Sequence, residues 1–153
     1  MSTFGGEMDI TRFIAFSRRL DRIVKNIKRK EMAYMREYGL RSVHITCLLC
    51  IDMHEDGATV TELSRECDTD KALISRTVKE LCSGGFVAEI GEGGKNYNRR
   101  YTLSDNGREV IEGLKTVISE YVTQARENID PADMKIFYTV LSEFERNIAQ
   151  ITK

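Results

Sequence analysis

Apolar residues recur at steps of three and four from the start of the chain's first long segment: Ile10, Phe13, Ile14, Leu20, Val24 and Ile27, with Arg and Lys between them. That spacing predicts one long amphipathic helix running to about Glu37 and ended by Gly39. The next stretch, VHITCLLCIDM, is apolar on nearly every side, which predicts a buried helix from Arg41 to about His54, broken by Glu55-Asp56-Gly57. Thr59-Val60-Thr61-Glu62 then has the form of a capping box opening a short helix to about Glu66. Only Cys67-Asp68-Thr69 separates it from Asp70, a good N-cap for a further helix reaching about Ser83. Two helices joined so tightly must cross steeply. On the second, Ile74, Val78 and Leu81 form an inward stripe. Ala72, Ser75, Arg76 and Lys79 repeat at i, i+3, i+4 and i+7 along the outward one.

The period then changes. FVAEI and RRYTL alternate like two strands on either side of GEGGKNYN, which predicts a β-hairpin with a glycine-rich tip. Ser104 is placed to cap a helix from Asp105 to about Asn128, with Val110, Leu114, Val117, Ile118, Tyr121 and Val122 on one face. Asp130-Pro131 opens the last helix, with proline at its first position. Its stripe is Phe137, Val140, Leu141, Phe144, Ile148 and Ile151. The terminal helices carry more apolar surface than so small a core can cover, so pairing with a second copy is expected.

Composition narrows the class. With 153 residues, 41% of them hydrophobic, the chain has enough apolar surface for a real core. No apolar run approaches a membrane span, and MSTFGGEMDI lacks the basic and apolar regions of a signal peptide, so a cytoplasmic protein is expected. Cys47 and Cys50 form a C-x-x-C pair on a helix, but no second cysteine pair or nearby histidine completes a metal site. Buried, reduced thiols are expected, and neither a metal nor a cofactor. The net charge is −1, but it is unevenly spread. Residues 1–41 hold ten Lys/Arg against five Asp/Glu, and residues 42–70 hold one against seven. Residues 71–103 hold six against three, so a basic patch coincides with the outward helix face and the hairpin.

A short helix, a tight turn, a second helix with a polar outer face and a glycine-tipped hairpin together resemble a winged helix-turn-helix. The residues that carry the likeness are Glu62-Leu63-Ser64, Ser75-Arg76, Leu81, Gly85-Phe86-Val87 and Leu103-Ser104-Asp105-Asn106-Gly107. With the long flanking helices, the whole chain from about residue 8 resembles the MarR (multiple antibiotic resistance regulator) family. The resemblance implies a mainly α fold with a small β-hairpin wing. It implies dimerisation helices at 8–38 and 105–153 around a DNA-binding lobe at 41–104. It also implies a homodimeric regulator of transcription, a ligand-responsive repressor on a palindromic operator, whose partners are double-stranded DNA, its own second copy and a small-molecule effector.

On that resemblance, Lys71, Ala72, Ser75, Arg76 and Lys79 fall on recognition-helix positions, and Lys95, Asn96, Asn98, Arg99 and Arg100 on the wing. The chemistry agrees, because Lys and Arg neutralise phosphate or reach guanine edges and small side chains allow close approach. Family wings usually carry Asp-x-Arg at the tip. Lys95-Asn96-Tyr97 stands there instead, so either Lys95 or a register-shifted Arg99 would take the minor-groove role. Three further readings bear on these residues. Arg76 is within reach of Glu80 at i+4, or of Glu62, for a structural ion pair. His44 falls at a position that resembles one lining the family's small-molecule pocket, or is a satisfied core histidine. Cys82, with Lys79 nearby, is a candidate reactive thiol. No nucleophile and base, and no metal cluster, suggests an enzyme. The competing class is a winged-helix module that binds a protein partner instead of DNA.

Overall fold

The computed structural model describes residues 10–91 and 99–152. Six α-helices and three short strands follow in the order α1 (Ile10–Met35), α2 (Ser42–Asp52), β1 (Ala58–Thr59), α3 (Val60–Glu66), α4 (Lys71–Ser83), β2 (Val87–Ile90), β3 (Arg100–Leu103), α5 (Asp105–Ala125) and α6 (Pro131–Ile151). The mainly α fold with a small sheet expected from the sequence is therefore present. The described residues divide into two compact units, one up to Ile118 and one from Ser119 onward.

In the first unit, α1 ends in a 3-10 turn at Arg36–Tyr38, closed by Gly39 in the left-handed conformation. Its core is built from one face of each helix: Met35 of α1, Leu48 and Ile51 of α2, Leu63 of α3, Ile74, Val78 and Leu81 of α4, and Val110, Ile111 and Leu114 of α5 are all buried. The inward stripe read on α4 is therefore the observed one. Thr77, which the pattern did not assign, is also buried, and its hydroxyl donates to the Leu73 carbonyl at 2.8 Å. That bond within the helix removes the cost of burying a hydroxyl.

Caps read from the sequence fix the helix starts. Thr59 Oγ1 accepts the Glu62 backbone N–H at 3.2 Å, and the Glu62 carboxylate accepts the Thr59 N–H at 2.8 Å. Asp70 accepts Leu73 N–H at 2.9 Å, Ser104 accepts Gly107 N–H at 3.0 Å, and Asp130 accepts Ala132 N–H at 2.7 Å. Thr59→Ala is expected to lower stability by about 1 kcal/mol and Thr59→Ser to leave it nearly unchanged, as measured by urea denaturation.

The sheet has the order β1-β3-β2, antiparallel throughout, with Val87 opposite Leu103 and Ala58 opposite Tyr101. The hairpin strands match the expectation. Strand β1 does not appear in the sequence pattern, because two residues cannot show an alternation. Gly57 permits it: its φ is +75°, and a Cβ there would stand 3.0 Å from the Tyr101 carbonyl oxygen. β1 leads directly into α3, so the wing and the helix pair share one backbone scaffold.

The second unit holds the end of α5, a turn and α6. Helix α5 stops at Ala125, a few residues before the expected Asn128, and Asn128 itself takes a left-handed φ of 64°. On α6, Ile136, Phe137, Tyr138, Val140, Ile148 and Ile151 remain exposed. Among the described residues no helix is long and apolar enough to cross a membrane.

Candidate nucleic-acid interface

Helices α3 and α4 are joined by a turn locked from several sides. Ser64 Oγ donates to the Thr69 carbonyl at 2.6 Å, Thr69 N–H returns to the Ser64 carbonyl at 3.0 Å, and Thr69 Oγ1 donates to the Cys67 carbonyl at 2.9 Å. Asp68 takes a left-handed φ of 47°, which reverses the chain in a single residue. The geometry sets the start of α4 at Asp70 and fixes which of its faces meets solvent.

That outer face is cationic. Lys71, Ala72, Arg76 and Lys79 are exposed, and Ser75 is half-buried beside them. Among the described residues no carboxylate lies within ion-pair distance of Lys71, Arg76 or Lys79. Neither partner considered for Arg76 engages it. Glu62 faces Thr59 and Arg100, while Glu80 is turned toward α2.

Glu80 is the acidic residue of α4, and its pairing keeps that charge away from the basic face. Its carboxylate accepts from the Arg41 guanidinium and from His44 Nε2, the latter at 2.7 Å. His44 is buried, and its Nδ1 accepts the Arg41 backbone N–H at 3.1 Å. A ring nitrogen that accepts a backbone N–H carries no proton, so Nε2–H is the donor to Glu80. The hydrogen bonds from His44 and then Arg41 hold the Glu80 carboxyl below its ordinary value of 4.5. A depressed carboxyl stabilises the fold fully above its unfolded value, and that contribution is lost as pH falls through the folded one. Glu80→Gln should therefore flatten part of the acid limb below about pH 4.5, read as urea midpoints against pH beside the unaltered chain.

The wing residues divide. Arg99 Nε pairs with Glu89 across the hairpin at 3.1 Å. Arg100 donates to the Asp56 carbonyl at 3.2 Å and lies 3.6 Å from Glu62. Both hold the base of the wing together. Lys95, Asn96 and Asn98 lie outside the described residues.

The cysteines and His54 sit in different surroundings. The Cys82 thiol is pushed up, by burial and then by Glu89, so the thiolate expected from Lys79 is not favoured. Cys47 and Cys50 are free thiols, and burial pushes the fully buried Cys47 up to about 12. His54 bonds to Glu66 at 2.9 Å. Among the described residues no cluster of ligands could hold a metal. A groove of about 320 Å³ opens between α1 and α2, lined by Val24, Ile27, Lys28, Glu31, Thr46, Leu49, Cys50 and Met53. His44 does not line it.

A helix pair joined by a locked turn, followed by a small antiparallel wing, defines a winged helix-turn-helix protein. Residues 38–95 match the model of the MarR family. A Bacillus subtilis (strain 168) relative, YdgJ, described as an uncharacterized HTH-type transcriptional regulator, is 27% identical over 104 residues, which make up 68% of this chain and 63% of that relative. The match thus spans less than two thirds of the relative's length. Among solved structures, a MarR family transcription regulator is similar at a TM-score of 0.81 and 16% identity, with 95% of each chain covered. A MarR family protein from Bacillus stearothermophilus is similar at 0.76 and 18%, covering 93% of this chain and 99% of that one. Residues 38–95 thus resemble the MarR family, and the fold is the winged helix-turn-helix fold of these solved structures.

Proposed function

We propose that this protein is a cytoplasmic DNA-binding regulator of transcription. The observation that carries this reading is the outer face of α4, where Lys71, Arg76 and Lys79 are exposed without carboxylate partners among the described residues while Glu80 is held away by Arg41 and His44. Such a face supplies cations for phosphate and a guanidinium for a base edge, with Ala72 and Ser75 small enough for a groove. Lys95, Asn96 and Asn98 at the wing tip are the proposed minor-groove contacts, and Arg99 and Arg100 support them from its base.

The acting species is a homodimer on a palindromic site. Ile14, Ile23 and Val24 on α1 and Ile136, Val140 and Ile151 on α6 are exposed in the single chain, and a second copy would cover them. Two recognition helices about one DNA turn apart, ~34 Å, enter successive major grooves. A small effector seated in the groove between α1 and α2 would favour another spacing and release the DNA, as expected of a repressor. It acts only through its different affinity for the two arrangements. The ion pairs of Arg99 and Arg100 favour a second reading, a protein-binding winged helix, because they leave the wing base less basic. Selection of binders from a random duplex pool separates the two. An enriched inverted repeat with half-sites one turn apart supports the regulator, and recovery of no sequence over background contradicts it.

A further inference from the structure

Cys50 lies on α2 and Cys67 follows the last turn of α3, yet their sulfurs stand 3.2 Å apart, with the Cys67 thiol directed at Cys50. Both are free thiols. Cys50 also lines the open groove between α1 and α2, beside Val24, Ile27 and Met53, so a small reagent in that groove reaches one sulfur of the pair. The two remaining cysteines are placed differently. Cys47 is fully buried on the inner face of α2, and Cys82 belongs to α4. A disulfide is about 2.05 Å long, so the sulfurs need to close by roughly 1 Å.

We propose that Cys50 and Cys67 form a modification site for small disulfides, which convert the pair into an intramolecular disulfide tying α2 to the turn that launches α4. The order of attack follows from the contacts. The Cys67 thiol is held protonated by burial, by its hydrogen bond to Cys50 and by the nearby Cys47 and Glu66, whereas Cys50 is the acceptor of that bond and lines the groove. Cys50 loses its proton and its sulfur attacks one sulfur of R–S–S–R. The S–S bond breaks, one RS⁻ leaves and takes up the proton, and Cys50 carries a mixed disulfide. The mixed disulfide ends the part Cys50 plays in holding the Cys67 proton, so Cys67 then loses it and attacks the Cys50 sulfur, forming the protein disulfide and expelling the second RS⁻, which is protonated in turn. Two protein thiols are oxidised and one small disulfide is reduced to two thiols. This site is independent of whether the protein binds DNA.

The test is to treat the intact chain with bis(2-hydroxyethyl) disulfide, block remaining thiols with iodoacetamide and map the peptides after cleavage at Arg65, which separates Cys50 from Cys67. The expected result is loss of two of the four thiols, a cross-linked Cys50–Cys67 peptide formed within one chain, with no covalent dimer on a denaturing non-reducing gel, and reversal by dithiothreitol. Cys67→Ser should stop the reaction at a mixed disulfide on Cys50. Modification centred on Cys82 or Cys47, a disulfide between chains, or a mixed disulfide that persists on Cys50 in the unaltered chain would each overturn the proposal.

Discussion

Replacing Gly107 by alanine is expected to destabilise the protein by about 3 kcal/mol or more, although alanine is the better helix former. Gly107 sits in the first turn of α5, where intrinsic propensity favours alanine by roughly 1 kcal/mol. An added Cβ, however, would stand 2.0 Å from the Phe86 carbonyl oxygen and 3.0 Å from its carbon. These are backbone atoms with little room to move. The Phe86 carbonyl accepts Ser104 N–H at 3.0 Å, and Phe86 N–H bonds to the Leu81 carbonyl at 3.0 Å. Relieving the clash means parting α5 from the end of α4 and the start of β2, so the steric term exceeds the propensity gain. Urea denaturation of Gly107→Ala beside Asn106→Ala gives the comparison. Asn106 is exposed in the same turn, and its replacement should shift stability by no more than about 0.5 kcal/mol. A stabilised Gly107→Ala would show that the close approach to Phe86 does not exist.

Arg76→Ala is expected to weaken binding to a selected operator by about 1–3 kcal/mol per half-site while changing affinity for random DNA little, because a guanidinium reading a base edge discriminates between sequences. Lys79→Ala should instead weaken both duplexes by a similar factor and reduce the steepness of the salt dependence by about one unit per half-site, as a phosphate contact does. The contrast rests on two exposed cations that share one face of α4 without a carboxylate partner among the described residues, so neither variant disturbs a packed contact or an ion pair described there. Urea midpoints should therefore stay within about 0.5 kcal/mol of the unaltered chain. If Arg76→Ala lowered both affinities equally, Arg76 would be a phosphate contact and base reading would belong to Ser75 or its neighbours.

The features legible in the sequence are those set by neighbours along the chain. Gly39, the Thr59–Glu62 box, Asp70, Ser104 and Asp130 mark helix ends by local hydrogen bonding, and each stands where its chemistry places it. The outward face of α4 follows from the 3.6-residue period alone. What was hidden depends on residues far apart in sequence. Glu80 meets His44 and Arg41 36 and 39 positions away, which no spacing within α4 reveals and which removes the competitor considered for Arg76. The same holds for Cys50 and Cys67, and for β1, whose pairing with β3 is decided by Gly57 lying against Tyr101. Burial and Glu89 push the Cys82 thiol up, which the spacing of Lys79 along α4 does not reveal.

The central claim is that the exposed face of α4 binds DNA by sequence, and fluorescence anisotropy across a salt series tests it most directly. The unaltered chain would be titrated against a selected inverted repeat and a scrambled duplex of equal length. The account predicts affinity that falls steeply with salt on both duplexes, through release of phosphate counterions, and a clear preference for the repeat that persists at moderate salt. Equal affinity for the two duplexes at moderate salt, or binding that salt does not weaken, would contradict it.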